Sequence, residues 1–415
     1  MNAMPDKEQP QKPPLRRLID FLGLKRSIVG LLGMVVLVGM GTNLPDQFQP
    51  IFLLATGGTI LALGLLGGLK NLLGALYAYP GGYLAHRIGT KKSLLVFNVM
   101  SIIGYALVIL VPTWWALIIG LLFFMFWDSF SLPASMQLVA GALPKDKRTM
   151  GVTMHSLVRR VPMALGPFIG GVFVDKWGPQ DGVRLAFAVA LVMAAVAIPF
   201  QQKFIADTKP SGGAEKNPLR LYRRMSPWLK NLLISDIMIR FCEQIPYTFV
   251  VVWAMQTITN KVSGTQFGVL RTIEMVTAVA IYIPIAYLAD RTHKKPWVII
   301  TFIFFSAFPL VLYFSRSFEF LILAFAVRGL KEFGEPTRKA LIMDLAPEDA
   351  KAGMFGLYYL IRDSVVSLAA FGGALLWMIK PEVNLLAACG FGVLGTIWFA
   401  IFGRDLKSGV AHAGA

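Results

Sequence analysis

Charged side chains stand inside long apolar runs of this sequence, and they stand at helical spacing. Arg328, Lys331, Glu332 and Glu335 fall at i, i+3, i+4 and i+7, so one helical face carries all four. Asp236, Arg240 and Glu243 fall at i, i+4 and i+7, Arg271 and Glu274 at i and i+3, and Arg362 and Asp363 are adjacent. Earlier in the chain the charges are sparser: Asp46, Lys70, Asp128, Arg159 and Arg160. Ions in apolar surroundings are expensive and mark either a polar cavity or pairs that pack helix on helix. Arginine forks suit carboxylate, sulfonate or phosphate oxygens. A carboxylate in an apolar wall can take up and release a proton. The chemistry these residues offer is reversible binding of a charged solute together with a proton. Lys70 and Asp128 could instead neutralise each other, and the near balance of acids and bases leaves the sign of the solute open.

Covalent chemistry has no comparable support. His155 has no serine–acid partnership beside it, and no phosphate-cradling P-loop occurs. Cys242 next to Glu243 lacks the histidine cluster a metal site needs, so no metal and no cofactor is expected. The 415 residues are 56% apolar and only 15% charged, against about 25% charged in soluble domains. Forty Lys and Arg against 23 Asp and Glu leave a net charge of +17. The bases cluster between apolar runs, which points to membrane topology and excludes a nucleic-acid partner.

The elements that must position these charges are twelve apolar segments. They run near Ile28–Ala55, Ile60–Ala85, Leu94–Val111, Trp114–Ala140, Gly151–Phe173 and Gly182–Phe200, then Leu229–Ile258, Gly264–Ala289, Trp297–Phe314, Phe318–Met343, Gly353–Ile379 and Val383–Phe402. Each is about the length of a membrane-crossing helix, too long for a barrel strand. The division is a polar arm (1–26), a six-helix bundle (27–203), a basic linker (204–228), a second bundle (229–403) and a tail (404–415). Within the linker, Arg220, Arg223 and Arg224 suit a short helix lying among lipid headgroups. Basic clusters such as Lys145, Lys147, Arg148 and Arg291, Lys294, Lys295 mark one set of loops as cytoplasmic. Both termini fall on that side. No signal peptide is read, and the first span serves as the insertion signal. Most tryptophans, including Trp253 and Trp377, fall near segment ends and read as belt residues, whereas Trp127 beside Asp128 is a candidate cavity residue.

The two bundles repeat one another. PGGYLAHRIGTKK from Pro80 matches PIAYLADRTHKK from Pro284, FWDSFSLPAS from Phe126 matches GLKEFGEPTR from Gly329, and HSLVRR from His155 matches YYLIRD from Tyr358. On these residues the chain resembles the major facilitator superfamily over nearly its whole length. The family's G-x-L-A-D-R-x-G-R-K loop stands here as Gly82-Tyr83-Leu84-Ala85-His86-Arg87-Ile88-Gly89-Thr90-Lys91-Lys92, with His86 in place of aspartate. The second half keeps Asp290 and Arg291. A G-P-x-x-G-G motif, associated in the family with antiporters, stands as Gly166-Pro167-Phe168-Ile169-Gly170-Gly171.

The resemblance implies an all-α integral membrane protein of twelve transmembrane helices in two pseudo-symmetric bundles. It also implies secondary transport by alternating access, without enzymatic activity. The expected cargo is a small organic anion or zwitterion moved with a proton; a drug/proton antiporter is the alternative, and a receptor or lipid mover a third. Arg159, Arg160, Arg328, Lys331, Trp127, Glu243 and Arg362 are the expected solute contacts. Asp128, Glu332 and Asp46 are the expected proton carriers, and the two loop motifs with the helix-five motif the expected gates. A monomer among membrane lipids, in the bacterial inner membrane, completes the expectation.

Overall fold

The computed structural model describes residues 26–127, 148–204, 218–289, 293–347 and 351–404. Its regular elements are helices, and they form the twelve spans of the expected fold. Span one is Arg26–Asp46 continued by Gln49–Ala55; spans two to four are Ile60–Ile88, Thr90–Leu110 and Trp114–Trp127. Spans five and six are one helical run, Arg148–Phe204, folded in two at Gly178, whose φ of +81° suits a residue without a side chain. Span seven is Pro227–Tyr247 continued by Val250–Val252 and a π-turn at Trp253–Thr257. Spans eight and nine are Gly264–Ala289 and Lys294–Phe314, and span ten is Phe318–Leu330 continued by Glu335–Leu345. Spans eleven and twelve are Lys351–Ile379 and Pro381–Phe402. By length and composition alone six described helices could cross a membrane, and seven with the bent pair of span seven. One of the six, Val158–Lys203, holds spans five and six together; of the spans outside that count, one, seven and ten are broken, four is described over the short stretch Trp114–Trp127, and eight buries Arg271 and Glu274.

The spans alternate in direction, so the bundle has two ends. The connections at Gly89, at the short helix Pro218–Arg223 and at His293–Lys294 lie at one, called here the basic end. The short turns around Thr59, Thr113, Gly178, Ser263, Ser317 and Lys380 gather at the other, the neutral end. Local chemistry starts several helices there and at the linker. The Thr59 hydroxyl accepts from the Ala62 amide, and Ser226 caps span seven from the Leu229 amide with Pro227 in the first turn. Spans one and seven break at matching places, just beyond Pro45 and Pro246, where proline removes a backbone donor and crowds the preceding turn. Span seven bends there by 42°.

The apolar cores explain how the bundles sit together. One cluster occupies the neutral end and draws on both halves, Phe48, Phe52, Phe124 and Phe187 of the first and Trp253, Phe267, Phe325 and Trp377 of the second, with Phe48 meeting Phe267 edge-on across the seam. Toward the basic end there are two separate cores. Leu32, Met34, Leu94, Phe97 and Trp127 form one within the first half, and Leu229, Phe302, Leu341, Tyr358 and Phe399 one within the second. Among the described residues, the apolar core is therefore shared by the halves at the neutral end and separate in each half at the other. The expected belt residues Trp253 and Trp377 are buried in the shared core, where Trp377 stacks on Phe249 with centroids 4.7 Å apart and meets Trp253 edge-on. Trp115 and Trp228 are exposed, as belt residues should be. The short helix Pro218–Arg223 lies before span seven and buries Leu221 in the second half's core.

Candidate solute-binding site

The charges of spans seven, eight, ten and eleven are brought together into one connected network inside the second half. Glu243 accepts from Lys331 Nζ at 2.5 Å and pairs with Arg240, one turn back on its own span. Lys331 reaches on to Glu274 at 3.8 Å, and Glu274 also holds Arg271 and, at 3.4 Å, Arg328 Nε. Arg240 extends the network to Glu335 at 3.9 Å. Glu335 holds Arg338 at 2.7 Å, Arg338 pairs with Asp236, and Asp236 also receives Tyr358 Oη at 3.0 Å and Arg362 at 3.4 Å. Arg362 closes the chain on Asp363 at 2.7 Å and lies 4.1 Å from the Tyr359 ring. Asp236, Glu274 and Arg338 are almost wholly buried, where only mutual pairing makes ionisation tolerable.

Counted along these contacts, and leaving aside the exposed Lys339, six bases face five acids: Arg240, Arg271, Arg328, Lys331, Arg338 and Arg362 against Asp236, Glu243, Glu274, Glu335 and Asp363. The excess is cationic. Arg328 is the least neutralised. Among the described residues its single ion contact is from Nε, and its guanidinium lies among the rings of Phe308, Tyr247 and Phe325 at 4.9, 5.6 and 5.8 Å. Those rings favour the cation while leaving the terminal nitrogens of its fork available.

The other expected contacts fall in several places. Arg160 of span five joins the halves by pairing with Glu332 at 3.1 Å, and Glu332 occupies the turn that interrupts span ten. The four charges from Arg328 to Glu335 therefore do not share one unbroken helical face. Arg159 has no ion pair among the described residues. Trp127 is buried in the first half's apolar core, away from the network. Asp46 pairs with Lys70 at 2.7 Å, so among the described residues Lys70's partner is Asp46. Asp128, Asp290 and Arg291 lie outside the described residues, as do the side chains of His86 and Arg87. Gly82 belongs to span two, and Gly89, at φ +86°, makes the turn into span three.

The helix-five motif is an interface. A Cβ at Gly166 or Gly170 would run into the span-one backbone at Asn43 or Leu44, and one at Gly171 into the Gly264 carbonyl of span eight. The Pro167 carbonyl stands against Gly268 of the same span. One turn further on, both oxygens of Asp175 cross between the halves to cap span eight, accepting the Gly264 amide at 2.6 Å and the Thr265 amide at 2.8 Å. Asp175 was not marked by the sequence, and neither was the joining of Arg271 and Glu274 to Arg328. Spacing marks Arg271 and Glu274, but no pattern along one span reveals a partner on another.

The family model for the Major Facilitator Superfamily matches residues 31–253 and 232–413. An uncharacterised MFS-type transporter of Methanocaldococcus jannaschii is 22% identical over 357 residues, 84% of this chain and 87% of that one. A multi-drug resistance efflux pump PmrA homolog of Lactococcus lactis is 22% identical, covering 89% and 93% of the two chains. The staphylopine export protein of Staphylococcus aureus is 24% identical, covering 81% and 86%. Among solved structures, a POT family transporter in complex with 5-aminolevulinic acid superposes with a TM-score of 0.74 at 13% identity, covering 90% of this chain and 96% of that one. A nucleoside transporter superposes with a TM-score of 0.75 at 10% identity, covering 92% and 100%.

Proposed function

The chain belongs to the Major Facilitator Superfamily, and from that premise we propose that it moves a small organic anion or zwitterion by alternating access, coupled to protons. The observation that carries this reading is the cationic excess of the buried network, with the fork of Arg328 as its open position. An anion placed there offsets charge the protein leaves uncompensated. The joined neutral end and separate basic-end cores fit a state open toward the basic loops. With those loops and both termini at the cytoplasmic face of a bacterial inner membrane, that state is inward-facing. A monomer surrounded by lipid suffices for this cycle. Glu332, held by Arg160 of the other half, is the proton carrier best placed to feel the halves separate; Asp128, at the repeat position of Lys331, is the carrier expected in the first half. His86, Arg87, Asp290 and Arg291 serve as the basic-end gates and the Gly166–Gly171 motif as the neutral-end gate.

Counterflow of labelled organic anions in proteoliposomes tests this reading. Arg328→Ala should weaken solute binding by about 3–5 kcal/mol, as expected for removal of one partner from a buried charged contact. Arg328→Lys should restore it only in part, because the planar fork is lost. Unchanged affinity in a folded Arg328→Ala protein refutes the assignment, and binding without flux makes the chain a receptor. A second reading, efflux in exchange for protons, is favoured by the helix-five motif and by two relatives whose names denote export. Preferential counterflow of cationic dyes over anions would establish it.

A further inference from the structure

The basic end of the second half carries a charged surface that the interior network does not use. Three elements meet there, and their packing fixes them to one another. The linker helix Pro218–Arg223 lays Leu221 against Gly353 at the start of span eleven. The start of span seven is tied to span ten by Ser226 Oγ, which donates to the Leu345 carbonyl at 3.3 Å. Asn231 Nδ2 ties it to the end of span twelve by donating to the Phe402 carbonyl at 3.5 Å. On the outside of this junction Tyr222 and Trp228 are 45% and 42% exposed. Lys230 Nζ lies 5.2 Å from the Tyr222 ring, and the Arg404 guanidinium lies 5.5 Å from the Trp228 ring. Each ring steadies a cation by its face and leaves the N–H donors uncommitted. Arg223 is exposed on the linker helix beside them. No acid occurs from Pro218 to Asn231 or from Val383 to Arg404. Among the described residues none of the three cations has an acidic partner, and Asp405 lies outside them.

We propose that Arg223, Lys230 and Arg404 form a binding site for the phosphodiester of an anionic phospholipid, with Tyr222 and Trp228 as its aromatic floor. The site is independent of the solute reading and shares with it only the membrane setting. Charge complementarity selects the occupant. The surface offers three cations and no acid, so a lipid with a net negative headgroup suits it better than one whose ammonium already offsets its phosphate. Phenol and indole rings suit the depth at which acyl chains give way to headgroups, with the apolar body inward and the polar edge outward. Span twelve exposes an apolar stripe of Leu394, Ile397 and Ile401 that runs along the helix toward Arg404, a wall for the acyl chains below the phosphate. A phosphate held by all three cations bridges the linker helix to the ends of spans seven and twelve. It fastens the linker between the halves to the second half at the membrane surface.

Phosphatidylglycerol and phosphatidylcholine with the same acyl chains are the probes. They are read as lipid retained by the full-length purified chain in native mass spectrometry and as the shift in its thermal unfolding in detergent. Wild type should retain phosphatidylglycerol and be stabilised by it, and should respond far less to phosphatidylcholine. A basic residue near the membrane surface is worth about fivefold in affinity for anionic lipid, so Lys230→Gln and Arg404→Gln should each weaken retention about fivefold and the double variant about 25-fold. Lys230→Arg keeps the charge and should bind as wild type does; a loss equal to that of Lys230→Gln would assign the effect to packing and overturn the proposal. Undiminished retention in the double variant, or equal retention of the two lipids, also overturns it. So does an equal loss on Lys92→Gln, an exposed base at the basic end of the first half, because the attraction would then be diffuse. Glycerophosphoglycerol, the same headgroup without chains, should shift unfolding far less than the lipid. An equal shift would make the position a site for soluble phosphate esters and overturn the lipid assignment.

Discussion

At the scale of single residues, the buried ions divide into those that are fully engaged and those that are not. Arg338 is engaged on every side: Asp236, both oxygens of Glu335, and through Asp236 the Tyr358 hydroxyl and Arg362. Arg338→Ala strands two buried carboxylates and should destabilise the protein by about 3–5 kcal/mol, measured as a lowered unfolding midpoint in detergent. Pairing Arg338→Leu with Asp236→Asn should recover part of that loss. Recovery equal to zero would mean that the arginine acts through packing alone. Arg328→Ala, by contrast, removes a side chain with one weak ion contact and should change binding more than stability. Spacing made the charged face of each span legible in the sequence. It did not reveal which face met which, because the pairs join positions such as 236 and 338, or 243 and 331. Asp46 shows the limit well: a span-one aspartate is visible in the sequence, while its bond to Lys70 depends on how spans one and two cross.

At the scale of elements, the breaks and the glycine contacts decide what can move. Pro45 and Pro246 stand at matching places in spans one and seven, and both spans break just beyond them. The fate of Trp253 and Trp377 was not readable, because proximity to a span end says nothing about whether a ring faces lipid or the other half. Spans five and eight approach backbone to backbone at Gly171 and Gly264, and a side chain at position 171 has no room. Gly171→Val should therefore wedge the neutral end apart. Spin labels at Leu110 and Phe314, exposed ends of spans three and nine, in a background without Cys242 and Cys389, should report a longer distance than in the parent. An unaltered distance would show that the contact is incidental to closure. Asp175→Asn removes the charge that caps span eight and should cost about 0.5–2 kcal/mol of closure, the ordinary worth of a helix cap, shifting the same distance distribution to a smaller extent.

At the scale of the whole molecule, the fold was legible because repeats and apolar spans are one-dimensional signals. The lopsided interior was not. The second half carries a network linking four spans, whereas among the described residues the interior of the first half offers Asp46 with Lys70 and the bridge from Arg160 to Glu332. That asymmetry has a consequence for biosynthesis. Span seven emerges from the ribosome carrying Asp236, Arg240 and Glu243, but Lys331 and Arg338 follow 88 and 102 residues behind their acidic partners. At about 5–20 residues per second that is a delay of roughly 5–20 s. Each unpaired charge near the centre of a helix costs about 2.5–3.5 kcal/mol to leave in lipid. Span seven should therefore wait at the insertion machinery and enter the bilayer for good only with span ten. Chains truncated after Arg316 should leave span seven open to added protease or extractable with alkali, and restoring the sequence through Leu345 should protect it. Protection of span seven in the short chain would show that it inserts alone. In the living cell the second half is then the slow half to mature, and its charges make the last third of the message decisive for whether the earlier spans are kept or degraded.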